Sequence, residues 1–174
     1  MFKIKIPLII AVLLVAVAGC SSGVISSDKE EEYSKITGGS TSALPNFILL
    51  DVNGKQVSLE SFKGKKVFVN LWASWCPPCR AEMPSIQKLY EKTASQNVQF
   101  VLLALDNDFT TSLQFINKTG FTFPVYYPGA ALPSLFNVEG IPATFIFNEK
   151  GELVKHISGG ANYDSKEFLK LLSN

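Results

Sequence analysis

Cysteine and histidine are scarce in this chain, three of the first and one of the second among 174 residues. A structural zinc site takes about four ligands, and beyond Cys76 and Cys79 the sequence offers His156 but no second C-x-x-C, so a zinc module is not expected and no metal is assigned. Blocks of one charge sign are missing too. With Lys3 and Lys5 set aside in the leader, fourteen basic residues face fifteen acidic ones. No Lys/Arg run breaks that balance, which argues against a nucleic-acid partner. Long apolar runs are also lacking. The uncharged stretch Ile6 to Ala18 falls short of the roughly 20 residues of an ordinary membrane-spanning helix.

What the chain does have is Trp75-Cys76-Pro77-Pro78-Cys79. Two thiols two residues apart can close a disulfide in one step, which makes the pair a candidate redox centre. Val67 to Leu71 before it is β-branched and aromatic, and Arg80 to Ala94 after it has helical spacing. A C-x-x-C at a strand-to-helix junction reads as thioredoxin-like. The thiolate is the nucleophile in disulfide exchange, and a helix N-terminus stabilises it. With Cys76 at the N-cap, Pro77 and Pro78 fall at N1 and N2, where a missing N–H leaves the helix ladder intact. They also withhold a donor, so the Cys79 amide alone can reach the capping sulfur. Cys76 is then expected to be the exposed, more acidic thiol and Cys79 the resolving one. Three blander readings stand beside this. A structural bridge over so small a loop would contribute only roughly 2 kcal/mol on the loop-entropy model. Two ligands of a zinc site would lack their partners, and free cysteines acting as small hydrophobes would leave the prolines and the helix start as coincidence.

The N-terminus carries a basic pair, an apolar core and Val17-Ala18-Gly19-Cys20, the pattern of a leader ending in small residues. It is similar to a lipoprotein signal peptide over residues 1–19, cleaved before Cys20. Such lipoboxes imply diacylglycerol on the Cys20 sulfur, and two or more acyl chains suffice for stable anchoring in membrane lipid. A plain secretory signal with Cys20 merely near the cut is the alternative. Residues 20–44 are rich in Ser, Gly and Thr without an apolar period and read as a tether, kept solvated by Glu30, Glu31 and Glu32. If lipid consumes Cys20, the mature chain keeps only the Cys76/Cys79 pair. An exported dithiol needs a dedicated source of electrons to stay reduced.

Residues 45–174 are long enough for one self-sufficient core. Asn53-Gly54 between Phe47–Asp51 and Gln56–Leu59 signals a hairpin. Val67 to Leu71, Val98 to Leu105 and Thr144 to Phe147 suit buried central strands. Leu153 to His156 suits an antiparallel return strand. Helical segments are expected at Arg80 to Ala94, Thr111 to Lys118, Pro133 to Phe136 and Ser165 to Leu172. Trp72 and the Phe121, Phe123, Tyr126, Tyr127 group are assigned to the core, and His156 to a strand without a catalytic role. Trp75, beside the thiol, is assigned to the substrate surface. The order is α/β with a mixed central sheet flanked by helices.

Asn70 to Pro84, together with Gly140-Ile141-Pro142-Ala143-Thr144-Phe145, resembles the TlpA-like family of membrane-associated thioredoxin-fold thiol-disulfide oxidoreductases, from about Pro45 to the C-terminus. The resemblance implies an element inserted between the second thioredoxin strand and the cis-proline strand, for which Asp108 to Asn137 is long enough. It implies a cis Ile141-Pro142 bond against the dithiol, with the Ile141 backbone free to pair an extended substrate. It implies a redox-active disulfide between Cys76 and Cys79 with no other cofactor. Glu82 lies one helical turn beyond Cys79, and the matching glutamate of the family tunes the dithiol. By itself this spacing also fits an acid that favours an early helical turn. Asn70 departs from the general thioredoxin pattern, in which an aspartate assists proton transfer. An amide cannot take a proton, which shifts that task to Glu82 or water. Pro84 is expected to kink the helix.

The function expected is reduction of protein disulfides on exported proteins, apocytochrome c being one substrate class the resemblance admits, with electrons from a membrane thiol donor. Two alternatives remain at this point. A thiol peroxidase of the redoxin group usually carries Pro-x-x-x-[Thr/Ser]-x-x-Cys, and the residues before Cys76 contain no such proline. A non-catalytic lipoprotein could hold extended chains in the groove beside Pro142.

Overall fold

The computed structural model describes residues 43–173. Cys20, the leader and most of the expected tether lie outside the described residues. Seven strands form one mixed sheet in the order β2-β1-β5-β4-β3-β6-β7. They are β1 (Ile48–Leu50), β2 (Gln56–Ser58), β3 (Lys66–Trp72), β4 (Val98–Ala104), β5 (Val125–Pro128), β6 (Ala143–Phe147) and β7 (Leu153–Ser158). Among the described residues three α-helices accompany them, α1 (Pro77–Lys92), α2 (Phe109–Thr119) and α3 (Lys166–Ser173). None is long and apolar enough to cross a membrane. This is the thioredoxin-like architecture that the motif implied.

Period-two alternation along β3 sorts its side chains to two faces. Phe68 and Trp72 join the core under α1, with Met83 and Ile86 of that helix and Phe168 of α3. Val67, Val69 and Leu71 point the other way, into a core closed by Leu44, Phe47, Leu59 and Phe136. No α-helix covers this second face among the described residues. Leu59 and Phe136 belong to single 3₁₀ turns, Leu59–Phe62 and Ser134–Phe136. The helix expected at Pro133 to Phe136 is therefore one turn, too short for α-helical bonds to propagate. Asn70 shares its parity with Phe68 and Trp72, so it faces α1. On β6 Thr144 stands opposite Asn70 in the antiparallel register.

The hairpin forms where Asn53-Gly54 places it, with Ile48 opposite Ser58 and Gly54 at φ 76°. It docks antiparallel on β5 and so extends the central sheet. Strand β5 itself was not legible as a strand, since Pro124 precedes it, Pro128 is the last of its four residues and its tyrosines read as core. It runs parallel to β4. Together β5 and α2 occupy half of the insertion before β6. Asp108 caps α2 by accepting from Thr110 N–H at 2.9 Å, and Gly120 ends it at φ 74°.

Ala43 and Leu44, placed by the sequence in the tether, join the fold. Ala43 bridges Glu152, and Leu44 N–H donates to Gly151 O at 2.7 Å. The Leu44 side chain is buried in the second core. Lys92 and Lys88 of α1 hold Asp164 before α3 through ion pairs.

The β1–β5 junction is tight at Gly129, whose N–H donates to Ile48 O at 2.9 Å. A Cβ there would lie 2.8 Å from the Ile48 side chain and 2.9 Å from its carbonyl oxygen. Backbone cannot give way as a flexible side chain can. Gly129→Ala should therefore destabilise the domain by about 1–3 kcal/mol, read as a lowered urea midpoint with an unchanged slope.

Candidate active site

Parallel strands β3 and β4 end at the same level, Trp72 opposite Ala104, and the chain leaves β3 through Ala73-Ser74-Trp75 into α1. Asp106, buried just past β4, fixes that connection. Its carboxylate accepts from Ser74 N–H at 3.0 Å, from Ser74 Oγ at 2.6 Å and from Ser112 Oγ of α2 at 2.6 Å. Sequence reasoning passed over Asp106. Its only signal is position, an acid directly after a central strand and level with the motif.

Cys76 is the N-cap of α1, with Pro77 and Pro78 at the first two helical positions, as expected. Its sulfur accepts one hydrogen bond, from Cys79 N–H at 3.3 Å. Cys76 and Cys79 are joined as a disulfide. The expected exposure is corrected, since Cys76 keeps only 3% of its surface and Cys79 none. The fold covers the sulfur because the Ile141 carbonyl oxygen approaches it to 3.7 Å. Only the rank order of the two cysteines follows the expectation. Trp75 beside them is 66% exposed, the largest aromatic surface on this side of the fold.

The Ile141-Pro142 bond is cis, and Pro142 O accepts from Gly159 N–H at 2.8 Å. Ile141 N–H and C=O take part in no backbone hydrogen bond among the described residues. An extended chain laid beside Cys76 would find them free. Trp75, Cys76, Ile141 and Pro142 are thus brought to one surface. His156 of β7, exposed and stacked on Phe145 at 4.4 Å, lines one cavity with Ile141 and Pro142 but makes no hydrogen bond to Cys76 among the described residues.

Glu82 is buried, on the sheet-facing side of α1. One carboxylate oxygen accepts from Asn70 Nδ2 at 2.8 Å, and the other from Ala161 N–H at 3.1 Å. Burial pushes its pKa up from 4.5 to about 7, against the lowering effect of those two donors. Asn70 also donates to Thr144 Oγ1 at 2.8 Å, and Thr144 shares a 2.6 Å hydrogen bond with the Tyr163 hydroxyl. Burial and nearby Glu82 raise the Tyr163 pKa above its usual range, so this phenol stays neutral. Asn70 Oδ1 is buried without a partner among the described residues. Asn70 therefore occupies the place of the usual proton-handling aspartate as an anchor for Glu82. Thr144, Tyr163 and Ala161 were not legible as site residues, because contacts 19 to 79 positions apart in sequence leave no local pattern. Pro84 lies inside α1 one turn past Arg80, clear of these contacts.

Comparison with known proteins agrees with this geometry. Residues 39–172 match the family model described as Redoxin. The thiol-disulfide oxidoreductase ResA of Halalkalibacterium halodurans is 33% identical over 129 residues, 73% of each chain. StoA from Bacillus subtilis superposes with a TM-score of 0.62 at 28% identity, covering 74% of this chain and 98% of that one. A thioredoxin-family thiol:disulfide interchange protein from Chlorobium tepidum gives 0.65 at 29%, covering 75% and 95%. The chain belongs to the Redoxin family, within its thioredoxin-fold, TlpA-like branch. It is a thiol-disulfide oxidoreductase with a Cys76/Cys79 pair.

The raised pKa of Glu82 makes a pH signature. The folded state holds this proton above pH 4.5, where the unfolded chain has lost it, so Glu82 lowers stability progressively as pH rises from 4.5 to about 7. Each unit of that interval corresponds to about 1.4 kcal/mol. Glu82→Gln should flatten the decline, measured on the oxidised protein by urea unfolding at a series of pH values. An equal slope in both proteins would show that the carboxyl titrates normally.

Proposed function

We propose that this protein is an exported, lipid-anchored reductase of protein disulfides, joined to its membrane through Cys20 and recharged by a membrane thiol donor. Exported disulfide-bearing proteins are its substrates, apocytochrome c among the candidates. The relatives named ResA and StoA support the oxidoreductase class, and the leader and Cys20 support the location. The direction of electron flow rests on one observation. The Cys76 sulfur receives a single backbone donor, because Pro77 and Pro78 have no N–H to offer. A strong oxidant needs a specially stabilised reduced form. A Cys76 thiolate with one 3.3 Å donor, and with the Glu82 carboxyl six residues further along the helix, is stabilised only modestly.

In the reducing direction, the Cys76 thiolate attacks one sulfur of the substrate disulfide and expels the other as a thiolate. The free Ile141 backbone holds the substrate chain extended, and Trp75 covers it. Cys79 then passes its proton to the Glu82 carboxylate and attacks Cys76. The second substrate sulfur leaves and is protonated. Two electrons have moved to the substrate, whose first thiolate takes a proton from water and whose second takes the one held by Glu82, and the Cys76–Cys79 disulfide is closed again. Glu82, with a pKa of about 7, can accept a proton and release it near neutral pH.

Titration against glutathione should give a potential near the thioredoxin value of about −270 mV rather than the strong-oxidant value of about −120 mV. A result near the latter overturns the reductase reading. Insulin reduction without peroxide turnover would set aside the peroxidase alternative, and Cys79→Ala should trap substrate on Cys76. Iodoacetamide should label Cys76 of the reduced protein before Cys79. Glu82→Gln should slow resolution about 10²-fold or more, seen as accumulated mixed disulfide at pH 7 with the initial attack unchanged. Equal resolution rates would leave Glu82 as a packing residue only.

A further inference from the structure

Strand β3 starts at Lys66 and ends at Trp72, so its two ends lie about 20 Å apart at roughly 3.3 Å per residue. The dithiol stands at the Trp72 end. At the Lys66 end, between β6, β7 and α3, lies a cavity of about 540 Å³ that the redox chemistry does not use. The chain also enters the domain here, since Ala43 and Leu44 are pinned to Glu152 and Gly151 in the β6–β7 turn. Cys20 lies upstream of that point.

The cavity is lined by Lys66, Lys155 and Lys170 with Glu149 and Glu167, one net positive charge. Lys155 and Glu167 neutralise each other at 2.6 Å. Lys66 is 92% buried, being 8% exposed, and its ammonium donates to Leu171 O at 2.9 Å. Among the described residues no carboxylate pairs with Lys66 or with Lys170. Capping the last turn of α3 uses one of the three Lys66 donors. A buried ammonium with donors to spare favours an anion. Leu171 and Val154, the latter 45% exposed, add an apolar wall beside those charges. A phosphate joined to apolar chains matches both halves of this lining.

We propose that this cavity receives the headgroup phosphate of an anionic phospholipid in the anchoring membrane, so that the domain rests on its lysine end and presents the dithiol outward. The proposal builds on the lipid-anchor reading above. Lys63, Lys65 and Lys150 border the same end, where Gly64 N–H donates to Glu149 O and Lys63 packs by Gly151, opposed by Glu60 and Glu152. Attraction of this kind falls off within a Debye length and weakens with salt.

The test uses the full-length protein reconstituted in vesicles of phosphatidylcholine alone or mixed with phosphatidylglycerol, followed by hydrogen exchange. Peptides covering 147–155 and 166–173 should exchange at least about three-fold more slowly on the anionic vesicles. The difference should vanish in about 0.5 M salt and in the Lys155→Gln/Lys170→Gln variant, which spares buried Lys66. Peptides around 75–80 should not change. Equal exchange on both vesicles, or slowing confined to the Trp75 region, overturns the proposal. Intact mass reports the Cys20 lipid separately. If that lipid is missing, the anchor reading fails, and titration with dihexanoyl-phosphatidylglycerol judges the cavity alone: saturable binding lost in the double variant supports it, and no binding overturns it.

Discussion

The site depends on one buried carboxyl group held from two sides. Glu82 projects from α1 toward the sheet, where Asn70 of β3 and the Ala161 amide before α3 each donate to it. Those three elements come from distant parts of the chain, and their relative placement is set by packing around Phe68, Trp72, Met83 and Tyr163. A buried carboxyl without partners would be costly. With two donors it is tolerable, and the residual burial leaves it protonatable near neutrality. The same constraint explains the amide at Asn70. A second carboxyl there would place two acids within hydrogen-bond reach in a dry core, whereas Nδ2 can serve Glu82 and Thr144 together.

Much of this was legible in the sequence because local rules agreed. Alternation in β3, the Asn53-Gly54 turn, the proline pair at a helix start and the Cys-x-x-Cys spacing each act over a few residues. They give correct elements and the correct dithiol geometry. Glu82 could be found as a candidate because one helical turn fixes its direction relative to Cys79. What was not legible depends on long-range contact. Strand β5 is defined by its neighbours β4 and β1 rather than by its own Pro-bounded sequence. Asp106 is chemically unremarkable until the level ends of β3 and β4 bring it under Ser74. The exposure expected for Cys76 failed for a related reason, since helix position predicts the donor on its sulfur but not the Ile141 carbonyl that comes from 65 residues away to cover it.

Proline does two separate jobs in this fold. Pro77 and Pro78 hold φ for the first helical turn while removing donors from the cysteine cap, so the helix start is kept and the Cys79 amide is left as the donor to the Cys76 sulfur. Pro142 instead turns the chain at the mouth of β6, leaving the Ile141 N–H and C=O outside the ladder. The first job sets the electronics of the dithiol, and the second sets what can lie beside it. Because they reside on different elements, the start of α1 and the entry to β6, one can change without the other.

The mechanism proposed above has Cys79 hand its proton to Glu82, one helical turn further along α1. In that mechanism two negative charges one helical turn apart in a buried setting would oppose each other, so loss of a proton from the thiol would favour gain of one by the carboxyl. The resolving thiol is then activated without the local charge becoming more negative than a single anion. With the Glu82 pKa at about 7, the proton-accepting form is present at neutral pH, yet the acid formed is not too weak to give the proton back. An ordinary carboxylate near 4.5 would rarely hold the proton long enough to shield Cys79. Burial in the core is what moves it, and so the packing that stabilises the fold also times the chemistry.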